Sequence, residues 1–380
     1  MDNLTHSLVG LAVAKSGLER LSPGATTLCV LAANSPDSDI IVLLFSDRWS
    51  FLQHHRGITH SLVGTLFLAV LLPILFLIGD LIISKIRKRQ LQVRFKGLVI
   101  ASLIVTFTHP LLDWTNNYGI RPLLPWSSSW FYGDFVFIVD PFMWLILGSA
   151  CFLLTVRTRF KRILWVVLGA VLTLFIVFAP RGGNLPDPWA LRAVWIATMI
   201  ALVFLLAKKV GERFGSRLAL ASLLLVVSYC GVLMFAHSRA LAHGYEQAAS
   251  MTDNGETISR FAAMPTLANP FGWDCVFDTN KATYRFHLKL GSETPLSRKV
   301  RYDKPAGQLE KALEEVSADR RSQIFLGFAR FPVAKLADQD CASQTLVQLA
   351  DLRYTEPGSS RGTFSLDLPV DCPDNLIINR

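Results

Sequence analysis

The run LVGTLFLAVLLPILFLIGDLII, which begins at Leu62, leaves a chain little choice of structure. A helix needs about 20 consecutive apolar residues to cross the hydrocarbon of a bilayer, and inside lipid every backbone N–H and C=O must be satisfied within the segment. The run carries no charge before Asp80, so it is expected to form a membrane-crossing helix. Comparable runs lie at about 97–113, 137–156, 162–179, 189–207 and 217–236, which with 61–84 gives six candidate spans. Two further segments, about 4–21 and 25–45, are apolar but interrupted, and 4–21 and 25–35 can form a pair of helices that dips into the membrane and returns. The expected fold is mainly α: a polytopic membrane domain with about six to eight embedded helices.

Composition agrees with this reading. The 380 residues are 51% hydrophobic, and the mean hydropathy is +0.38, too apolar for an ordinary soluble chain. The apolar excess ends near residue 240. From about Tyr245 the chain is polar, and CVFDTNKATYRFHLKL, QIFLGFARFPVAKL, QTLVQLADLRYT and GTFSLDLPV read as strands. MPTLANPFGWD (264–274) reads as a loop, GQLEKALEEVSADRR (307–321) as an amphipathic helix, and 236–251 as a helical connector. Three parts are therefore expected: a site-bearing membrane domain at 1–156, additional transmembrane helices at 157–244, and a small β-rich (α+β) C-terminal domain at 245–380. Cys29, Cys151 and Cys230 fall in apolar segments as packing residues, while Cys275, Cys341 and Cys372 allow at most one disulfide in the tail.

The net charge of +9 has a membrane explanation rather than a nucleic-acid one. Basic residues gather between spans: Lys85 to Lys96, Arg157 to Arg162, and Lys208 to Arg217. Cytoplasmic loops collect Lys and Arg in this way. With these three stretches inside, loops 114–136 and 180–188 lie outside, and so does the tail, which in a bacterium with two membranes means the periplasm. The opening MDNLTHS has no basic n-region, so targeting is expected to come from the spans themselves.

Five of the eight histidines fall in the first 109 residues: His6, His54, His55, His60 and His109. Ionisable side chains in or near spans are costly and mark a functional site by default. His109 and Asp113 are four apart, on one face of a helix, which suits either half of a metal site or a polar cap at a span end. Asp37 and Asp39, in ANSPDSDI, suit either a bridging metal or a turn with a helix cap. In QHHRGITHS, His55 and His60 are five apart, the spacing of a loop entering a helix, with Thr59 as its candidate N-cap. Arg56 and the helix N-terminus beside them favour an anion. In the topology above these residues lie at neighbouring outer span ends, so His6, Asp37, Asp39, His55, His60, His109 and Asp113 can converge on one or two divalent metal ions.

MDNLTHSLVG, ANSPDSD, HHRGITHS, HPLLDWTNNYGIRPLLPWSSSWFYGD and FIVDP together resemble the bacterial family of membrane-bound metal-dependent hydrolases. That family is also called LexA-binding, inner-membrane-associated hydrolases (a domain of unknown function numbered 457). The resemblance runs through about residues 1–155. It implies a helical domain in the bacterial inner membrane and a metal-dependent hydrolase activity, and the seven residues above are its candidate ligands by position, with Arg56 beside them.

The expectation is thus a hydrolase that uses a divalent metal, zinc first, on a small-molecule or lipid-type ester or phosphodiester at the outer leaflet. Arg56 holds anionic charge, and Asp39 or Asp113 acts as base. The partners are membrane lipids and substrate, not nucleic acid. Loop 114–136 forms a lid or wall, with Asn116, Asn117, Arg121 and Asp134 as candidate substrate contacts, and Asp140 either supports a histidine from behind or, the favoured reading, is an N-cap. Two other classes compete: an ion or proton-coupled transporter, which should carry such residues near mid-span, and a membrane-anchored binding or regulatory protein.

Overall fold

The computed structural model describes residues 1–178, 189–253, 255–291, 297–337, 344–359 and 364–371. In chain order its helices are α1 (Asn3–Lys15), α2 (Ala25–Asn34), α3 (Arg48–His54), α4 (Leu62–Ile86), α5 (Phe95–Trp114), α6 (Pro141–Thr155), α7 (Arg159–Phe178), α8 (Trp189–Ala207), α9 (Val210–Phe214) and α10 (Ser216–Met251). Then follow β1 (Ile258–Thr266), β2 (Asn269–Thr279), β3 (Ala282–Lys289), β4 (Ser297–Asp303), α11 (Gln308–Val316), α12 (Arg320–Phe328), β5 (Pro332–Leu336), β6 (Gln344–Asp351) and β7 (Ser365–Asp371). A 3-10 helix, Ser35–Leu44, continues α2, and another, Ile58–His60, precedes α4. Among the described residues, six helical stretches are long and apolar enough to cross a membrane: Ala25–Leu44, α4, α5, α7, α8 and α10. The fold is therefore mostly helical, with a small C-terminal sheet domain.

Two compact units divide the chain. The first comprises Met1–Ser38 and Ile58–Val232; the second comprises Asp39–Gly57 and Leu233–Arg380.

In the first unit α1 and α2 pack on α5 through small side chains. Ala14, Ala25, Cys29, Ala32, Ala33 and Ala101 are buried there with Leu28, Leu98 and Val105. Without a hydrophobic force between helices in lipid, close approach of small residues supplies the packing energy. Gly10 shows how close: a Cβ there would stand 2.6 Å from the Cys29 carbonyl oxygen. Helix α4 begins at Ser61, whose hydroxyl accepts from the Gly64 amide at 3.1 Å, so Ser61 rather than Thr59 is the cap. At the other end, Asp80 is buried in an otherwise apolar helix because it closes the α4–α5 turn. Its carboxylate accepts from the Gln92 and Val93 amides at 2.7 and 2.9 Å and from Arg89 at 2.7 Å. Helix α6 has only 15 residues, fewer than the anticipated span, because it starts at Pro141. Asp140 caps it, accepting from the amides of Phe142 and Met143 and from the Tyr229 hydroxyl.

In the second unit β1–β4 form an antiparallel meander in sequence order, and β5–β7 form a second antiparallel sheet. Period-two alternation decides what each face touches. Trp273, Cys275 and Phe277 of β2 join Tyr284 and Phe286 of β3 against Ala240 and Ala248 of α10. The opposite face, with Ala262, Met264 and Val276, meets Phe331, Val333 and Ala350 near and within the second sheet.

Two tail readings need correction. QIFLGF is helical, within α12, because Asp319 caps it by accepting from the Arg321 amide at 2.7 Å. The stretch 264–274 is the end of a hairpin, not a loop: β1 is an edge strand, so Pro265 withholds no needed hydrogen bond. Residues 236–251 are helical as expected, but they continue α10 without a break. Cys275 is free and buried; Cys341, Cys372 and loop 180–188 lie outside the described residues.

Candidate metal centre

The site is assembled by the first unit. Helix α5 presents His109 and Asp113 one turn apart, both buried. The 3-10 turn before α4 supplies His60, the 3-10 continuation of α2 supplies Asp37, and α1 supplies His6.

His60 Nε2 and His109 Nε2 lie 3.1 Å apart. Asp37 Oδ1 is 3.3 Å from the first and 3.4 Å from the second. Asp113 Oδ2 is 3.2 Å from His60 Nε2 and 3.4 Å from His109 Nε2. Four donors at metal bonds of about 2.0–2.1 Å in a tetrahedron stand about 3.3–3.4 Å from one another. Asp37, His60, His109 and Asp113 therefore form a group that could hold a metal ion.

The protonation pattern supports the same conclusion. His109 Nδ1 is 2.6 Å from the Ala33 carbonyl oxygen, which can only accept. Nδ1 thus carries a proton, which leaves Nε2 facing the cluster. His60 Nδ1 is likewise engaged, 3.1 Å from Thr59 Oγ1. Two Nε2 atoms so close cannot both carry a proton, and a cation between them resolves the conflict with both lone pairs used.

His6 stacks on His109 with ring centroids 3.7 Å apart and 13° between planes. Its Nε2 lies 3.3 Å from Asp113 Oδ1, yet neither ring nitrogen makes a well-formed hydrogen bond although the ring is fully buried. The amino group of Met1 also pairs with Asp113 Oδ1. Helix α1 is fixed there by Asp2, whose carboxylate accepts from the Thr5 amide at 3.0 Å and from Trp144 Nε1 at 3.1 Å.

Of the residues singled out from sequence, His6, Asp37, His60, His109 and Asp113 come together in this unit. Asp39, His55 and Arg56 belong to the second unit. There the buried Asp39 carboxylate accepts from the Arg56 amide at 3.0 Å and lies 3.1 Å from His55 Nδ1. Arg56 takes a left-handed backbone with φ 51°.

The wall residues are held by their own loop. Asn116 is buried and accepts from the Tyr118 amide at 2.9 Å, Asp134 is buried, and the Arg121 guanidinium sits 4.6 Å over the Trp130 ring. Sequence reading missed the Ala33 carbonyl and Trp144, and it gave Thr59 a helix-capping role instead of its contact with His60 Nδ1. A carbonyl leaves no residue signal, but Thr59 beside His60 and an Asp2–Thr5 cap next to His6 were visible.

Comparison with known proteins agrees with the fold. The model of the family "YdjM inner membrane protein" matches residues 1–185. The chain is 28% identical over 156 residues to "Uncharacterized protein YfhP" of Bacillus subtilis (strain 168), covering 38% of this chain and 43% of that one. It is 30% identical over 146 residues to "Inner membrane protein YbcI" of Escherichia coli (strain K12), covering 37% of this chain and 76% of that one. The chain thus spans less than half the length of the Bacillus relative. No solved structure matches the chain.

Proposed function

As the chain belongs to the YdjM inner membrane protein family, we propose that it is a membrane-embedded hydrolase that uses one divalent metal ion, zinc by the donor set. The observation that carries this reading is the mutual spacing of Asp37, His60, His109 and Asp113, at 3.1–3.4 Å for the pairs that involve an imidazole. Two imidazoles and two carboxylates suit zinc. When bound, such an ion would supply Lewis acidity, and an activated water once one carboxylate, Asp37 or Asp113, yields its position.

The chain's own groups do the rest. Ala33 and Thr59 orient the two imidazoles through their Nδ1 atoms. Asp113 divides its work: Oδ2 faces His60 and His109, while Oδ1 faces His6 Nε2. A proton taken up at Oδ1 can pass to His6, whose burial keeps it out of bulk water. Helix ends place the cluster at the opposite end of α4 and α5 from Lys85 to Lys96. By the positive-inside rule this is the outer face, and the same rule puts the C-terminal domain outside the cytoplasm.

A lipid-type ester or phosphodiester fits this position. Immediately after His60, the first turns of α4 expose Leu62, Val63, Leu66 and Phe67, an apolar surface along which an acyl chain can lie. His60, His109 and Asp113 sit at or near helix ends, and Asp37 lies where α2 gives way to the 3-10 stretch, which favours hydrolysis over transport.

The test uses the full chain, purified in lipid, with His60→Ala and His109→Ala. Wild type is expected to retain about one metal ion per chain, in line with a single four-ligand site, and both variants to lose it. Hydrolysis across a panel of chromogenic esters and phosphodiesters should stop with chelator and return with zinc. Equal metal content in wild type and both variants would sink the proposal.

A further inference from the structure

Hairpin turns in soluble domains are polar; the β1–β2 turn is not. Leu267 and Phe271 are exposed at its tip, Phe271 at 60%. Meanwhile the tip's polar groups are turned inward. Thr266 Oγ1 donates to the Gly272 carbonyl at 2.9 Å, and Asn269 Oδ1 accepts from the Phe271 amide at 3.1 Å. Phe271's carbonyl accepts from the Leu290 amide at 2.8 Å, and Trp273 Nε1 donates to the Pro270 carbonyl at 3.1 Å. A tip with its polar groups satisfied internally and apolar side chains outward carries the surface that lipid accepts.

The register against α10 fixes where this tip lies. A Cβ on Gly244 would stand 3.1 Å from Cys275 Sγ, and two residues further along β2 the Trp273 ring lies 5.4 Å from the His237 ring. The strand therefore runs toward the start of α10 as it approaches its own beginning. Two more residues, about 7 Å of strand, correspond to about four or five residues of helix. Phe271 thus reaches the level of about Leu233. That level belongs to the apolar part of α10, which has no charged side chain between Arg217 and Arg239. Met234 and Phe235 are exposed there as well. Arg239 of α10 and Lys289, opposite Gly272 in the sheet, are exposed one step further from the apolar part. They stand where anionic headgroups would meet them.

We propose that the β1–β2 hairpin tip is a membrane anchor, with Leu267 and Phe271 inserted into the acyl boundary of the leaflet from which α10 emerges. The occupant of this apolar surface is lipid, because the helix beside it at the same level is itself lipid-crossing. The soluble domain is then held to the bilayer at two places, helix and hairpin, rather than tethered by one.

The test places an environment-sensitive fluorophore on Phe271→Cys in the full chain, with Cys230, Cys341 and Cys372 replaced by Ser. The protein is reconstituted in phosphatidylethanolamine and phosphatidylglycerol vesicles. Blue-shifted emission is expected, quenched several-fold by acyl-chain nitroxide lipid and little by aqueous iodide, as for a label at Val227 on the exposed face of α10. A label at Leu267→Cys should behave the same way and guards against misfolding of the first variant. Iodide quenching equal to that of a label at exposed Lys311 would overturn the proposal. So would protection from both quenchers, which would mean that protein covers the tip.

Discussion

Gly64→Ala should empty the metal centre without removing any ligand. A Cβ at this position would lie 1.8 Å from the Ile58 carbonyl oxygen and 3.0 Å from Thr59 Cα, both backbone atoms that cannot rotate away. Restoring an ordinary contact moves the Ile58–His60 turn by about 1.6 Å, whereas metal–ligand distances tolerate only about 0.2 Å. His60 Nε2 is carried on that turn, so its place 3.1 Å from His109 Nε2 is lost. A displaced ligand of this kind should weaken metal affinity about 100-fold, or about 2.7 kcal/mol. Gly79→Ala is the matched control, since it lies in the same helix with no atom within 4 Å of the added methyl. The assay is zinc affinity by competition with a chelator, on protein that elutes as one symmetric peak with unchanged far-ultraviolet circular dichroism. Wild-type affinity in Gly64→Ala, or equal loss in Gly79→Ala, would refute the reasoning.

Two further outcomes test other parts of the fold. Gly244→Val should destabilise the second unit by about 1–3 kcal/mol, because the added atoms meet Phe261 and Cys275; thiol labelling of the buried Cys275 should become faster. Trp144→Phe removes the donor to Asp2 Oδ1 and Thr5 Oγ1 and should cost about 1–2 kcal/mol, read as faster amide exchange in α1 with the rest of the first unit unchanged.

The membrane helices were legible because lipid imposes a length and an apolarity that few other structures share. A separation of four positions placed His109 and Asp113 on one face, and the helix that would carry them formed despite Pro110. The cap at Ser61 was missed in favour of Thr59 because both residues precede the same apolar run and only geometry chooses. The tail was less legible for a physical reason. QIFLGF is short and apolar, and periodicity cannot separate strand from helix at that length. Its helical state is decided by the Asp319 cap and by packing on α3, a contact between residues some 270 positions apart, such as Arg320 with Ser50. Likewise, Pro265 looks like a loop residue until the sheet order places β1 at an edge.

The second unit is completed by Asp39–Gly57, a piece taken from the first sixth of the sequence. Within it, Arg320 of α12 donates to Ser50 Oγ at 2.7 Å and faces Asp47 at 3.5 Å. A gene fragment that stops after α10 would encode α3 without the helix it rests on, and a clone of the tail alone would leave Arg320 with no seat. Chimeras that trade C-terminal modules between relatives must therefore carry this inserted segment along, as two cassettes inherited together.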